Sequence, residues 1–228
     1  MRGARAVSFR QAGAGGDLSR LVPSPLGQDF YCRDTPLVAR DLLGKILLKQ
    51  EGGRWTGGFI VETEAYLGEA DPASHAAGKM TPRNSVMFGP PGQSYVYFIY
   101  GMHFCFNSVA FQPGVQRAGA VLVRALEPAL GLELMRERRG REKPEELASG
   151  PGMLTVALGI SRADNGLPLW KPPLMVAEGA KDGSFQASNG VRIGIREGAG
   201  LPLRFYVPGS PFVSRQGRQN NGLVLPGE

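Results

Sequence analysis

The sequence predicts an α+β fold: a single compact domain with a curved, mostly antiparallel sheet, flanking helices and a protruding β-hairpin. Three observations predict it. Short apolar runs rich in β-forming residues recur along the chain. Turn residues separate them, with 33 glycines and 18 prolines, a loop-rich composition that still falls short of a disordered one. Helical patterns lie between the strands without a regular βαβ rhythm. At 228 residues the chain is long enough to bury a core without disulfides or metals.

In chain order, residues 1–24 are rich in arginine, glycine and alanine, lack periodicity, and read as a mobile basic arm. A domain follows over 25–214, and residues 215–228 read as a mobile tail. Asp34, Thr35 and Pro36 mark a helix start. Leu37, Val38, Leu42 and Leu43 form its apolar stripe, and Gly44 stops it. Residues 45–49 and 59–64 read as strands. The polar stretch 68–94 is a long loop of the kind that tends to be functional. Residues 95–100 and 104–110 form a hairpin bent at Gly101. Residues 120–125 are a further strand. Residues 127–139 read as a helix with an acid first and arginines last, as its dipole prefers. A third helix runs from Pro151 through Leu158, and residues 174–177 and 191–195 are late strands.

Composition excludes several classes. Lys and Arg total 26 against 20 Asp and Glu, a net charge of +6, which favours a polyanionic partner without naming it. The longest apolar run, residues 95–106, is too short to span a bilayer, and no secretory leader follows Met1. Cys32 and Cys105 cannot form a disulfide framework and point to a reducing compartment. Two histidines, His75 and His103, exclude a three-histidine zinc site. No phosphate-binding glycine loop has the required spacing. A cytoplasmic protein is expected; an acid-poor, arginine-rich start also fits an organellar transit peptide.

Three stretches carry chemistry. In Val61-Glu62-Thr63-Glu64-Ala65-Tyr66, strand alternation puts Glu62, Glu64 and Tyr66 on one face. A carboxylate and an aromatic plate on one wall suit a pocket for a flat ring, although a solvated acidic sheet edge has the same pattern. In Tyr95-Val96-Tyr97-Phe98-Ile99-Tyr100, Tyr97 shares a face with Tyr95, while Tyr100 has opposite parity and projects at the bend. An aromatic on a protruding hairpin can act as a wedge in a base stack; a core aromatic cluster is the alternative. In the loop, Lys79 and Arg83 supply charge, and Thr81 and Asn84 could donate to phosphate. Glu64, Asp71 and His75 are a weaker metal-ligand set with no helical spacing.

The run ETEAYLG, DPASH, TPRN and YVYFIYGM, in that order, resembles the central block of the alkyladenine (3-methyladenine) DNA glycosylases. Similarity extends upstream through DTPLVARDLLGKILL and downstream through VLVRALEPALGLELMRERRG, SGPGMLTVALGI and PLRFYVPGSPFVS, and so covers residues 28–214. The resemblance implies a monofunctional, cofactor-free, monomeric enzyme acting on double-stranded DNA that contains damaged purines. It would flip 3-methyladenine, 7-methylguanine, hypoxanthine or ethenoadenine out of the duplex and hydrolyse the N-glycosidic bond, leaving an abasic site. By the same resemblance Glu64 is the general base, and Arg124 with the Val123 carbonyl region supports the water. Tyr66, His75, Tyr97 and Asn107 form the base pocket, Tyr100 is the wedge and Met102 supports it. Lys79, Thr81, Arg83 and Asn84 would meet the DNA backbone. Two other classes remain open: a non-catalytic nucleic-acid-binding module, and a metal-dependent nuclease using Glu62, Glu64 and Asp71.

Overall fold

The computed structural model describes residues 24–99, 101–179 and 187–214. The expected tail, Tyr100 and all but the last residue of the expected arm lie outside the described residues. Two short helices open the domain, α1 (Gln28–Tyr31) and α2 (Thr35–Asp41). Pro36 sits in the first turn of α2, where a missing N–H costs nothing. Then come β1 (Ile46–Glu51), β2 (Arg54–Tyr66), β3 (Ser94–Ile99), β4 (His103–Val109) and β5 (Ala120–Leu130). Helices α3 (Leu132–Arg139) and α4 (Pro151–Leu158) follow, and then β6 (Trp170–Lys171), β7 (Leu174–Ala177), β8 (Ser188–Gly190) and β9 (Arg204–Tyr206).

All described strand pairs are antiparallel. The sheet runs β3-β4-β5-β2-β1-β7-β6, and β9 joins β2 and carries β8. β2 is the axis of the molecule: it pairs with β1, β5 and β9 at different points of its length. One face of the sheet packs on the helices. Val96, Phe106, Val121, Val123 and Ala65 meet Leu42, Met135 and Leu154 in the main core. Burying one large side chain such as Phe106 contributes roughly 2 kcal/mol.

A register shift in β2 and β5 positions everything that follows. Ile60 pairs with Leu126, Glu62 with Ala125 and Thr63 with Val123, so both strands slip between these points. Ile60 and Leu126 lie in the main core. Three residues further along β2, Thr63 faces the same helices and donates its hydroxyl to the Ala39 carbonyl of α2. The slip reverses parity, which is what a bulge does, and it turns Glu62, Glu64 and Tyr66 to the other face.

Two expected elements differ. The helix expected over 127–139 begins at Leu132, because residues 127–130 extend β5: Glu127 pairs with Phe59, Pro128 with Gly58 and Leu130 with Gly57. The strand expected over 191–195 is irregular backbone. There the Arg192 side chain and the Ile193 N–H bond to carboxylates of the site rather than to a ladder.

Gly131 makes the turn from β5 into α3 with φ of +71°, a conformation costly for residues with a side chain. A Cβ there would strike the Trp55 carbonyl and the Thr56 side chain. Gly131→Ala should therefore destabilise the fold by about 2 kcal/mol, read as a lowered urea midpoint.

Candidate active site

Register aligns the site in a transverse row. Tyr95 pairs with Asn107, Asn107 with Leu122, Leu122 with Glu64, and Glu64 with Arg204. Residues directly opposite one another point to the same face, so five strands contribute to this row; Tyr95, Asn107 and Leu122 line the cavity floor, while Glu64 and Arg204 are fully buried. The flanking positions of like parity, Tyr97, Cys105, Ala120, Arg124 and Tyr66, belong to the same surface. Loops supply the walls: Ala73, His75 and Met87 from the long loop, Pro151 from the start of α4, and Ile193, Gly194 and Ile195 from the late loop. Together they enclose a cavity of about 300 Å3, at the small end of ligand pockets.

Aromatic rings crowd one side. The His75 and Tyr97 rings meet edge to face at 4.6 Å, and Tyr95 lies 5.3 Å from Tyr97. His75 Nδ1 is 2.9 Å from the Tyr95 hydroxyl, which fixes the imidazole. Packing on that side, with Arg83 nearby, holds the imidazole below its usual pKa. Burial pushes the Tyr95 phenol up to about 12. Burial, with Cys105 next, raises that of Tyr97 further. The Arg83 guanidinium stands 5.6 Å from the Tyr97 ring centroid.

The acids lie beneath the floor. Glu62 and Glu64 are both wholly inaccessible, and Arg124 bridges them, Nε to Glu62 at 3.3 Å and Nη1 to Glu64 at 3.2 Å. Glu62 has four partners: on Oε1 it also accepts from Arg204 at 3.2 Å and from the Ser214 hydroxyl at 3.1 Å, and on Oε2 from the Ser214 N–H at 2.9 Å. Glu64 accepts from the Ile193 N–H at 2.7 Å on Oε1 and from the Tyr66 hydroxyl at 2.9 Å on Oε2. Burial first, and the Glu64 charge second, drive the Tyr66 phenol far above its ordinary pKa, so it stays a donor. A carboxylate offers about four lone-pair positions; three on Glu64 meet these partners, and one position on Oε2 remains.

Of the residues expected at the site, Tyr66, His75, Tyr97, Asn107 and Arg124 line the cavity, and Glu64 lies buried behind it, bonded to Tyr66 and Arg124. Met102 sits at the hairpin tip, 67 % exposed, beside Tyr100, which lies outside the described residues. Lys79, Thr81 and Arg83 are on the surface of the long loop. Asn84 is corrected: it is buried, and its amide donates to the carbonyls of His75 and Lys79 at 2.7 and 3.2 Å while its oxygen accepts from the Thr81 N–H and hydroxyl. It organises the loop rather than facing outward for phosphate, and the Thr81 hydroxyl is donated to it. The Val123 side chain lies in the main core, and the residue pairs with Thr63. Asp71 does not join Glu64 and His75; it binds Arg192. Among the described residues no group of three or more His, Cys, Asp or Glu side chains is arranged to hold a metal.

Sequence reasoning missed Arg192, Ile193, Arg204 and Ser214. The available signal was an arginine set between apolar residues, in Val191-Arg192-Ile193 and Leu203-Arg204-Phe205. A cation in such a run needs a buried partner.

Fold and cavity together define the class, a single-domain α+β enzyme with an acid-backed aromatic slot. Residues 29–211 match the family described as methylpurine-DNA glycosylase. Relatives, each named provisionally as a 3-methyladenine DNA glycosylase, come from Methanoculleus marisnigri, Koribacter versatilis and Chlorobaculum tepidum. The first is 53% identical over 191 residues, covering 82% of this chain and 97% of the relative. The second is 48% identical over 204 residues, 86% and 95%; the third is 48% identical over 191 residues, 83% and 90%. The chain therefore belongs to the methylpurine-DNA glycosylase family. It is a DNA-repair enzyme, a glycosylase of the 3-methyladenine type whose substrate is DNA.

Removing one partner of a buried ionic network leaves its counterpart uncompensated. Glu62→Ala should thus cost on the order of 3 kcal/mol, seen as a lower melting temperature and urea midpoint. A surface acid such as Glu133, 89% exposed, should change stability by less than about 0.5 kcal/mol when replaced by alanine.

Proposed function

We propose that the chain is a monofunctional glycosylase that hydrolyses the N-glycosidic bond of alkylated or deaminated purines, with Glu64 as its general base. The observation that carries this reading is the buried Glu64 carboxylate, bonded to Tyr66 of the cavity wall and with one oxygen position left for water. A cavity of about 300 Å3 admits one purine and excludes a duplex, so the target nucleotide must leave the stack.

The base enters between Tyr66 on one side and Tyr97 with His75 on the other. N3-methyladenine and N7-methylguanine nucleotides are cationic, and electron-rich rings attract them by up to about 2 kcal/mol when desolvated. Glu64 takes a proton from a water; that oxygen forms the bond to C1′ as the C1′–N bond breaks. The bonding electrons leave with the purine, which neutralises an N-alkylated base, whereas a neutral base such as hypoxanthine must take up a proton from solvent as it leaves; either way an abasic site remains. The Glu64 charge also stabilises the positive sugar in the transition state. Arg124 holds the carboxylate in place. Asn107 is fixed by donating to the Tyr95 carbonyl at 3.0 Å, and so presents a rigid obstacle to the 2-amino group of undamaged guanine. Tyr100 and Met102 fill the gap left in the duplex. Lys79 and Arg83 meet phosphate. No lysine serves as nucleophile, so no Schiff base forms.

Glu64→Gln should keep the hydrogen-bond shape and lose the base. Release of 3-methyladenine from methylated duplex should fall at least 10²-fold, while affinity for a lesion-containing duplex stays within a few fold. A wild-type protein that binds this duplex and releases no base would instead be a binding module. Affinity should drop steeply with added salt, because neutralised phosphates release counterions; a flat salt response would count against the DNA-backbone contacts.

A further inference from the structure

Arg192 has no place in the chemistry above, yet it is among the most constrained side chains of the molecule. It is 3% exposed. Its guanidinium grips Asp71 through both terminal nitrogens, Nη2 to Oδ1 at 2.8 Å and Nη1 to Oδ2. Nη1 also donates to the Ala65 carbonyl at 2.9 Å and Nη2 to the Gly198 carbonyl at 3.4 Å. Asp71 is held in turn by the N–H groups of Leu67 and Ala73, at 3.2 and 3.1 Å. This clasp sets the guanidinium carbon 4.8 Å from the Tyr66 ring centroid. Tyr66 lines the cavity and Arg192 does not, so the cation occupies the ring face turned away from the ligand. Tyr66 is a partition with a fixed positive charge behind it.

We propose that Arg192, held by Asp71, is a specificity-determining residue that sets how strongly the cavity prefers a cationic purine over a neutral one. The proposal rests on the glycosylase reading of this cavity. An aromatic face attracts a cation through the ring quadrupole. A guanidinium on one face already draws the π density towards itself. A second cation on the opposite face meets a depleted ring and a like charge across it. A neutral base stacks by dispersion and burial, which the rear charge hardly alters. Arg192 therefore narrows the advantage of cationic lesions and keeps neutral ones within reach of the same slot. Two features limit the effect: Asp71 offsets part of the charge, and the Tyr66 hydroxyl, donating to Glu64, returns electron density to the ring. A change of roughly threefold to tenfold is expected, less than a full desolvated cation–π contact.

The test uses the full chain and two duplexes, each with one 2′-fluoro nucleotide that resists hydrolysis. One carries 7-methylguanine, a cation; the other carries 7-methyl-7-deazaguanine, a neutral base of the same shape. The readout is the ratio of the two dissociation constants. Asp71→Asn with Arg192→Gln removes both charges and keeps hydrogen-bonding groups; it should raise the preference for the cationic base by threefold to tenfold. Arg192→Lys keeps a cation and should leave the ratio within twofold of the wild type, even with a lower melting temperature. An unchanged ratio in the double variant, or an equal shift in Arg192→Lys, overturns the proposal and makes the clasp purely structural. The wild type tests it without any variant: a preference above hundredfold for the cationic base also overturns it. These failures are distinct from failure of the functional reading, in which the wild type releases no base from methylated DNA and both inferences fall.

Discussion

The site depends on one constraint, a charge-balanced ionic network buried against the sheet. Glu62, Glu64 and Asp71 supply three carboxylates, and Arg124, Arg192 and Arg204 supply three guanidinium groups. All six are at most 5% exposed. Isolated ions in such a place would cost several kcal/mol each. The fold tolerates them because the groups interlock: Arg124 joins Glu62 to Glu64, Arg204 backs Glu62, and Arg192 closes on Asp71. The network also ties parts of the chain that share no ladder. Ser214 reaches Glu62 from the end of the described domain, and Ile193 reaches Glu64 from the late loop. Such an assembly is poor evidence for extra stability. Its value lies in geometry, because few arrangements satisfy all six charges at once.

Within this network the two acids of β2 have different duties, although they are two residues apart on one strand face. Glu62 is held by Arg124, Arg204 and Ser214, with three partners on Oε1 and one on Oε2, and none of them belongs to an aromatic residue of the cavity. Glu64 is bonded by Arg124, by the Ile193 N–H and by the hydroxyl of Tyr66, and these three residues line the cavity. The division follows from the register slip in β2 and β5. Beyond the slip, Glu64 lies opposite Leu122, which lines the cavity floor, whereas Glu62 sits at the slip itself, against the Ser214 segment.

Strand parity made the floor legible in the sequence. Glu64 and Tyr66, like Tyr95 and Tyr97, share a face by the period-two patterning of a strand. The hairpin and the helices α2 and α4 were equally readable from glycine and proline punctuation. Three things were not. The extension of β5 through Pro128 was hidden, because an acid followed by an arginine-rich end imitates a helix; pairing with Gly57 and Gly58, which no local propensity reveals, decided the outcome. The walls come from loops, and Ile193 acts through its backbone N–H, which has no sequence signature at all. Asn84 read as a polar loop residue available to phosphate, but an asparagine at the end of a turn is as readily consumed by its own loop.

Charge is divided between surface and site in a way that separates encounter from choice. The excess of +6 resides outside a network whose own charges cancel. A basic surface attracts every stretch of DNA alike, since phosphate contacts carry no sequence information. Under the proposed function, selection then falls to the slot, after a base has entered. A slot with net charge would select by that charge alone: an unbalanced carboxylate would retain any cation, and an unbalanced arginine would repel the alkylated bases. Cancelling the ionic groups beneath the floor leaves ring polarisation, shape and one oxygen position as the discriminating terms, each worth a kcal/mol or so. Modest terms of this size suit the proposed function, in which the site accepts several lesions and rejects an overwhelming excess of intact bases, because rejection can rest on failure to enter or to react, and not on tight binding of any one base.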